Sequence, residues 1–564
     1  MDENLKNPRD DDRYKIIENE LKKKGREEDI ENIVNLMSMP KDINTICINK
    51  LSKSIKIAIV GAGVSGLIAA FELKKIGYDI TLYEASKRVG GRVYTYYFDR
   101  IQNHYGDFGE IGIPITHNLV WHYINLLGLE TKPFLNQNES IYLRNSFSLN
   151  KPKEVEKNFY EKFNLDTRDR NRIKSNYYLK IKNKYLKNLT VEERKELLDI
   201  KKVYSENIKN IDNMTYRDML KKEKFSNEAI NLISYISGDR EYLDFSLIEL
   251  INKEYTLDYL LNYRINGGMI KLPLALYDSI INNESKAYKS IDKDNLGIAR
   301  VKFNCLVKNI KNNENQNKIE IQYKNLEDNN TLEESFDYVI CTVPLPSIKK
   351  ISFTPNLSNE KLMAIDDVEF QSSQKLYLYV KEKFWQDKVK NKKIFVGSTI
   401  TDLPIYSMHY YLDDVSLSLN EKKNINIKLN STGINESGVL LASSSNGGKA
   451  RTFSNMDYEI KLNDTIEYIE KIHNLEKGYL NKNLIDYKSL SWEDIQYIWG
   501  FETVFKKNEK VLYSYDLAKE EMNNKLYFAG EHVSSKHGRI QGDMQSALII
   551  VNKIIQETNN KFNF

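Results

Sequence analysis

Six residues, Gly61-Ala62-Gly63-Val64-Ser65-Gly66, constrain this chain more than any others. The apolar run Ile55–Val60 precedes them and reads as a buried parallel strand. Val64–Ile76 follows with helical spacing and is closed by Gly77. Ile80–Tyr83 reads as a second strand, and Glu84 stands at its end. The unit is βαβ, and its turn has the form of a dinucleotide cradle. Gly61 permits the tight turn, Gly63 lets the backbone approach a pyrophosphate, and Gly66 lets helix and strand pack closely. The helix start, with Val64 and Ser65, offers N–H groups and positive partial charge to phosphates. A carboxylate at Glu84 suits the two hydroxyls of a ribose.

The next run, Glu84-Ala85-Ser86-Lys87-Arg88-Val89-Gly90-Gly91-Arg92, narrows the choice. Gly91 followed by Arg92 sets a guanidinium beside the pyrophosphate. Arg88 is placed along the adenosine ribose, and Ala85 lies against the same half. This combination points to FAD rather than NAD.

At 564 residues the chain is too long for one compact core, so two or three connected domains are expected. Apolar residues are 41% and charged residues 29%, as in a globular protein. A net charge of +4 gives no reason to invoke nucleic acid. Cys47, Cys305 and Cys341 are too scattered for a metal cluster or a disulfide framework. With a polar, acidic N-terminus and no apolar stretch long enough to span a bilayer, they point to a cytoplasmic protein without membrane contact.

A helical pattern runs from Arg13 to about Met37 and is interrupted by Pro40. Residues 150–260 are rich in Lys, Glu, Asn and Tyr and read as helical. Lys302–Ile310, Lys318–Tyr323 and Asp337–Thr342 read as strands. The alternation in Gln374–Val380 predicts a strand of a second sheet.

The cradle and a distant C-terminal segment, Phe528–Gly542 (FAGEHVSSKHGRIQG), together resemble the flavin-containing amine oxidase superfamily. That superfamily includes monoamine and polyamine oxidases, L-amino-acid oxidases and tryptophan 2-monooxygenase, and the resemblance runs from about residue 54 to 554. It is carried further by Asp107–His117 (DFGEIGIPITH), by the Gly-Gly turn of Ile265–Pro273 (INGGMIKLP), and by Lys375 ahead of Phe384-Trp385.

The resemblance implies an α/β fold of two domains. A discontinuous FAD-binding domain of Rossmann-like, glutathione-reductase type spans residues 51–130, 262–345 and 505–564. A helical insertion at 131–261 and a mixed-sheet substrate domain at 346–504 follow, behind an N-terminal helical extension at 1–50. The implied cofactor contacts add Gly109, Glu110, Val307, Gly530, Glu531, Arg539, Ile540 and Gln541 to the cradle. Glu531 binds the ribityl chain, Val307 meets the adenine through its backbone, and a helix starting near Gly542 points at the flavin. Lys375 is the lysine that holds a water near flavin N5. Covalent attachment in monoamine oxidases uses a cysteine after a glycine. Here Phe501 follows Gly500, so FAD is expected to be noncovalent.

The departures concern the substrate. The arginine with which amino-acid oxidases clamp a carboxylate is replaced by Gly112, which is expected to leave space. The two tyrosines of the monoamine oxidase cage are replaced by Glu502 and Arg539. Arg539 is placed as a substitute carboxylate clamp, and Glu502 as a receiver of a substrate ammonium or as an ion-pair partner of Arg539. Trp499 is assigned to the same wall. His104, His117, His532 and His537 are read as structural.

The activity implied is oxidative deamination of an amino acid or related amine by hydride transfer to flavin N5. The imine hydrolyses, and dioxygen returns as hydrogen peroxide. A decarboxylating monooxygenase that yields an amide, and a catalytically weak flavoprotein scaffold, stand as alternatives. A homodimer is plausible for the family.

Overall fold

The computed structural model describes residues 7–40, 55–135, 137–386, 394, 396–412, 415–419, 425–429 and 435–561. Cys47 lies outside them.

Five parallel strands form the first sheet. Their order is Ile298–Lys302, Asp79–Tyr83, Lys56–Val60, Tyr338–Cys341 and Leu526–Phe528. Lys56–Val60 lies at its centre, flanked by strands whose register partners are 23 and 281 residues away. The cradle helix, Val64–Lys75, is almost wholly buried. It packs against the C-terminal helix Ile540–Lys561 and against Lys271–Ile281. This explains why its sequence shows no amphipathic stripe, since a helix with almost no solvent face needs none.

The expected strand Lys302–Ile310 is in fact two. Ile298–Lys302 ends in the parallel sheet, and Cys305–Asn313 begins a separate four-stranded sheet. Asn304 makes the corner in a left-handed conformation at φ 56°, which asparagine tolerates better than most residues. Lys318–Asn325 and Thr331–Phe336 continue that second sheet.

A seven-stranded sheet forms the other side of the molecule. Ser373–Val380 is an interior strand, paired with Gly438–Asn446 and Leu484–Ser491, and all eight of its residues are buried. Its alternation separates two cores. Leu376, Leu378 and Val380 pack with Phe384 and Trp385. Tyr377 and Tyr379 pack with Phe108, Phe134, Tyr411 and Trp492. Lys375 shares the face of the tyrosines, because side chains two apart lie on one side of a strand.

The N-terminal pattern folds as two helices, Asp10–Lys24 and Ile30–Leu36, divided at Gly25, which is left-handed at φ 62°. Arg13 is 1% exposed and donates to the Ile115 carbonyl and to Asn118 Oδ1, both at 2.6 Å. It thereby ties the first helix to the segment after Gly112. Arg13→Ala should cost about 2–3 kcal/mol, read as a lowered urea midpoint, because it leaves those buried acceptors without a donor.

Candidate functional site

Two cavities lie inside this fold. The smaller, about 560 Å³, is lined by the cradle and by residues from strand ends of the parallel sheet. A Cβ built on Gly63 would meet no heavy atom within 4 Å, so the space above it is open. A Cβ on Gly66 would lie 2.1 Å from the Gly61 carbonyl oxygen, and Gly61 itself has φ 106°. Gly63 is the N-cap of the cradle helix, and no side chain caps it. The first N–H groups therefore face a site shaped for an anion. Glu84 lines the cavity while accepting from the Ala62 and Ser86 amides at 2.8 and 2.9 Å. Val64, Ser65, Ala85, Arg88, Gly91, Arg92 and Val307 line it as well. Arg88 is folded onto the loop, donating to the Gly91 carbonyl at 2.7 Å. These residues fit a pyrophosphate-linked dinucleotide.

Trp499 also lines this smaller cavity. That corrects its assignment to the substrate wall: its backbone turns at φ 53°, and its ring meets Tyr497 edge-on.

Arg92, on the wall of the smaller cavity, reaches the wall of the larger one at Phe501. Its guanidinium donates to the Phe501 carbonyl at 2.5 Å and pairs with Glu531 at 2.8 Å. Glu531 is 1% exposed and accepts also from the Thr503 amide and hydroxyl and from the Gly538 amide. Burial pushes its carboxyl up, but Arg92 and the nearby His537 and His532 outweigh this and hold it at about 2. Gly530, at φ 145°, brings the chain to Glu531 with its amide bonded to Ser546. The Glu531 amide donates to Asp543, a carboxylate on the wall of the smaller cavity that the sequence reading missed.

The larger cavity, about 790 Å³, extends from Gly109, Glu110 and Phe501 to the helical region. Lys375 reaches it from the interior strand, so it is not a surface lysine. Its ammonium donates to the carbonyls of Asp107 and Gly109, and burial pulls its pKa down to about 8. The Asp107 segment is fixed from behind. Tyr377 donates to the Asp107 carbonyl at 2.7 Å, and the Met269 amide donates to the Asp107 carboxylate at 3.0 Å. The Gly267-Gly268 turn thus braces the strand end that positions Lys375.

Gly112 does not leave space. A Cβ there would lie 2.8 Å from Phe134 Cδ1 and 3.3 Å from Asn262 Oδ1. Phe134 and Asn262 are register partners on neighbouring strands, so the volume is filled by the sheet beside it. Gly112→Arg alone should therefore cost about 1–3 kcal/mol from overpacking and create no carboxylate site. Thermal midpoints and substrate titrations of the variant check this.

Arg539 does not pair with Glu502. Its partner is Glu110, at 2.9 Å, and the other Glu110 oxygen accepts from the Ile540 amide at 2.8 Å. Glu110 thus caps the C-terminal helix, which starts at Ile540, two residues before the expected Gly542. Gln541 faces neither cavity: its side chain accepts from the Leu119 amide and donates to the Met37 carbonyl. Phe501 stacks on Trp492.

Other groups at the larger cavity had no distinct sequence signal. Glu241, Tyr242, Lys253 and His409 all line it. Burial and then Lys375 push His409 down to about 4, so it is neutral at ordinary pH. Among the histidines singled out earlier, His117 lies 3.4 Å from Asp258, and His537 bonds Glu249 at 2.9 Å. His532 is buried with neither ring nitrogen hydrogen-bonded among the described residues.

A model of the flavin containing amine oxidoreductases matches residues 64–555. The L-amino-acid oxidase of Sistrurus catenatus edwardsii is 27% identical over 507 residues, which covers 90% of this chain and 88% of that one. The L-amino acid oxidase bordonein-L of Crotalus durissus terrificus is 26% identical, covering 89% and 87%. Among solved structures, putrescine oxidase bound to putrescine superposes with a TM-score of 0.64 at 15% identity, covering 89% of this chain and 99% of that one. Cyclohexylamine oxidase from Brevibacterium oxydans IH-35A gives 0.60 at 14% identity, covering 90% and 100%.

Proposed function

The chain belongs to the flavin containing amine oxidoreductases, and we propose that it is an FAD-dependent oxidase of an amino acid or related amine. The observation that carries this reading is the direct link between the walls of the two cavities. A glycine cradle opens on one side, Lys375 lies buried on the other, and Arg92 holds Phe501 between them.

Gly61, Gly63 and the start of the cradle helix would hold the pyrophosphate, with Glu84 and Val307 at the adenosine half. FAD, when bound, supplies the oxidising equivalent by accepting a hydride from the amine's α-carbon. The protein's own residues then have three tasks. The buried strands around Lys375 exclude bulk water. The walls of the larger cavity orient the amine. The Lys375 ammonium, fixed by two carbonyls, presents a proton donor at the inner end of that cavity. The oxidised substrate leaves as an imine that hydrolyses to a keto acid or aldehyde and ammonia. Dioxygen is the electron acceptor and leaves as hydrogen peroxide.

Product analysis in air tests the proposal. One ammonia and one peroxide per amine consumed are expected. An amide formed with loss of carbon dioxide would replace the oxidase reading by a monooxygenase one.

A further inference from the structure

Six carboxylates line the larger cavity: Glu110, Asp239, Glu241, Glu254, Asp258 and Glu502. Five have donors. Glu110 takes Arg539 and the Ile540 amide. Asp239 takes Lys182 at 3.0 Å, and Glu254 takes Lys24 at 2.9 Å. Asp258 takes Lys536 at 3.0 Å. Glu241 accepts from the Asn446 amide and side chain. Glu502 has neither a hydrogen-bond donor nor an ion-pair partner among the described residues, although it is only 7% exposed.

Its position is fixed. It begins the strand Glu502–Val504, paired with Glu369–Gln371. Thr503 turns to the opposite side and bonds Glu531, so Glu502 faces the cavity. Its Oε2 rests on Gly538, where a Cβ would lie 1.9 Å away. The neighbouring cation, Lys253, stands over the Tyr242 ring at 3.6 Å instead of bridging to it. An ionised carboxylate left this way costs several kcal/mol unless something completes it. A cationic group brought by the substrate does so.

We propose that Glu502 receives the substrate's ammonium group and takes one of its protons, as a catalytic base. The inference rests on the amine-oxidase reading. The ammonium N–H bond breaks and its electron pair stays on nitrogen, while the proton forms an O–H bond on Glu502. With FAD bound, the neutral amine would give up its α C–H as a hydride, the flavin would take the two electrons, and the nitrogen lone pair would form the carbon–nitrogen double bond. Amine oxidation requires that neutral form, because the nitrogen lone pair stabilises the developing cation. Burial raises the Glu502 carboxyl, while Lys253 and Arg539 pull it down. The groups that face it are Glu241 and Tyr242, Glu249 and Lys253 of the helix Leu247–Tyr255, Arg92, Glu531, Arg539, and Lys375 across the cavity.

The test is anaerobic rapid mixing of holoprotein with the best-bleaching compound among benzylamine, putrescine, L-leucine and L-lysine, over a range of pH. Wild-type reduction should fall toward acid as Glu502 protonates. Glu502→Gln should be slowed at neutral pH by about 100-fold or more and recover toward the amine's own pKa. Glu502→Asp, whose carboxyl is intrinsically more acidic, should keep the acid limb at lower pH. It carries the test if the Gln variant loses its flavin. A second readout is the flavin absorbance change on adding tert-butylamine, which has no α C–H to oxidise. Wild type should bind it more tightly than the Gln variant. A Gln variant with wild-type rates and pH profile, or an Asp variant with an unmoved limb, overturns the role of Glu502 alone. A wild-type flavin that no amine bleaches overturns the oxidase reading, and this role with it.

Discussion

Lys375→Met is expected to leave the flavin bound and to slow aerobic turnover by on the order of 100-fold. Lys375 is 7% exposed, in the middle of a sheet, and its charge rests on two backbone carbonyls. Methionine keeps the length and apolar stem but removes the proton donor at the inner end of the cavity. Anaerobic bleaching, which does not require reaction with dioxygen, should be slowed much less than reoxidation. Because burial brings the ammonium to about 8, wild-type reoxidation should decline as pH rises through about 8. The Met variant should lack that step. Equal reoxidation rates in the two proteins would remove Lys375 from the reaction.

Arg92→Met should be the most damaging single change at the cofactor junction, destabilising the protein by about 3–5 kcal/mol with loss of flavin. It strands Glu531, whose carboxylate is buried and paired with Arg92 at 2.8 Å. Glu531→Gln tests the pair from the other side. A carboxyl held at about 2 against its ordinary 4.5 corresponds to about 3 kcal/mol of stability. That contribution is fully present above pH ~4.5 and is lost as pH falls through about 2. The gap in thermal midpoint between wild type and Glu531→Gln should therefore be wide at neutral pH and narrow progressively on acidification below pH ~4.5. A gap independent of pH would mean that Glu531 is not stabilised as an anion.

What could be read in advance was local. The cradle is a strand, a turn and a helix within thirty residues, and Gly66 answers to the Gly61 carbonyl inside that stretch. The period of two in Gln374–Val380 marked a strand of the second sheet, which the structure shows as Ser373–Val380. What escaped prediction depends on pairs far apart in sequence. Arg539 found Glu110 rather than Glu502 because the C-terminal helix begins beside Glu110, which lies 429 residues earlier in the chain. The space expected at Gly112 is filled by Phe134, which only the strand register brings alongside. Glu241 and Lys253 come from different turns of a helical region whose charge pattern resembles any solvated surface. Only tertiary packing turns them toward one cavity.

The most direct measurement is anaerobic absorbance of the purified flavoprotein against a panel of L-amino acids, simple amines and diamines. Bleaching of the oxidised flavin by at least one class, with colour restored on admitting air, is the predicted result. A bound flavin that no amine reduces would contradict the account.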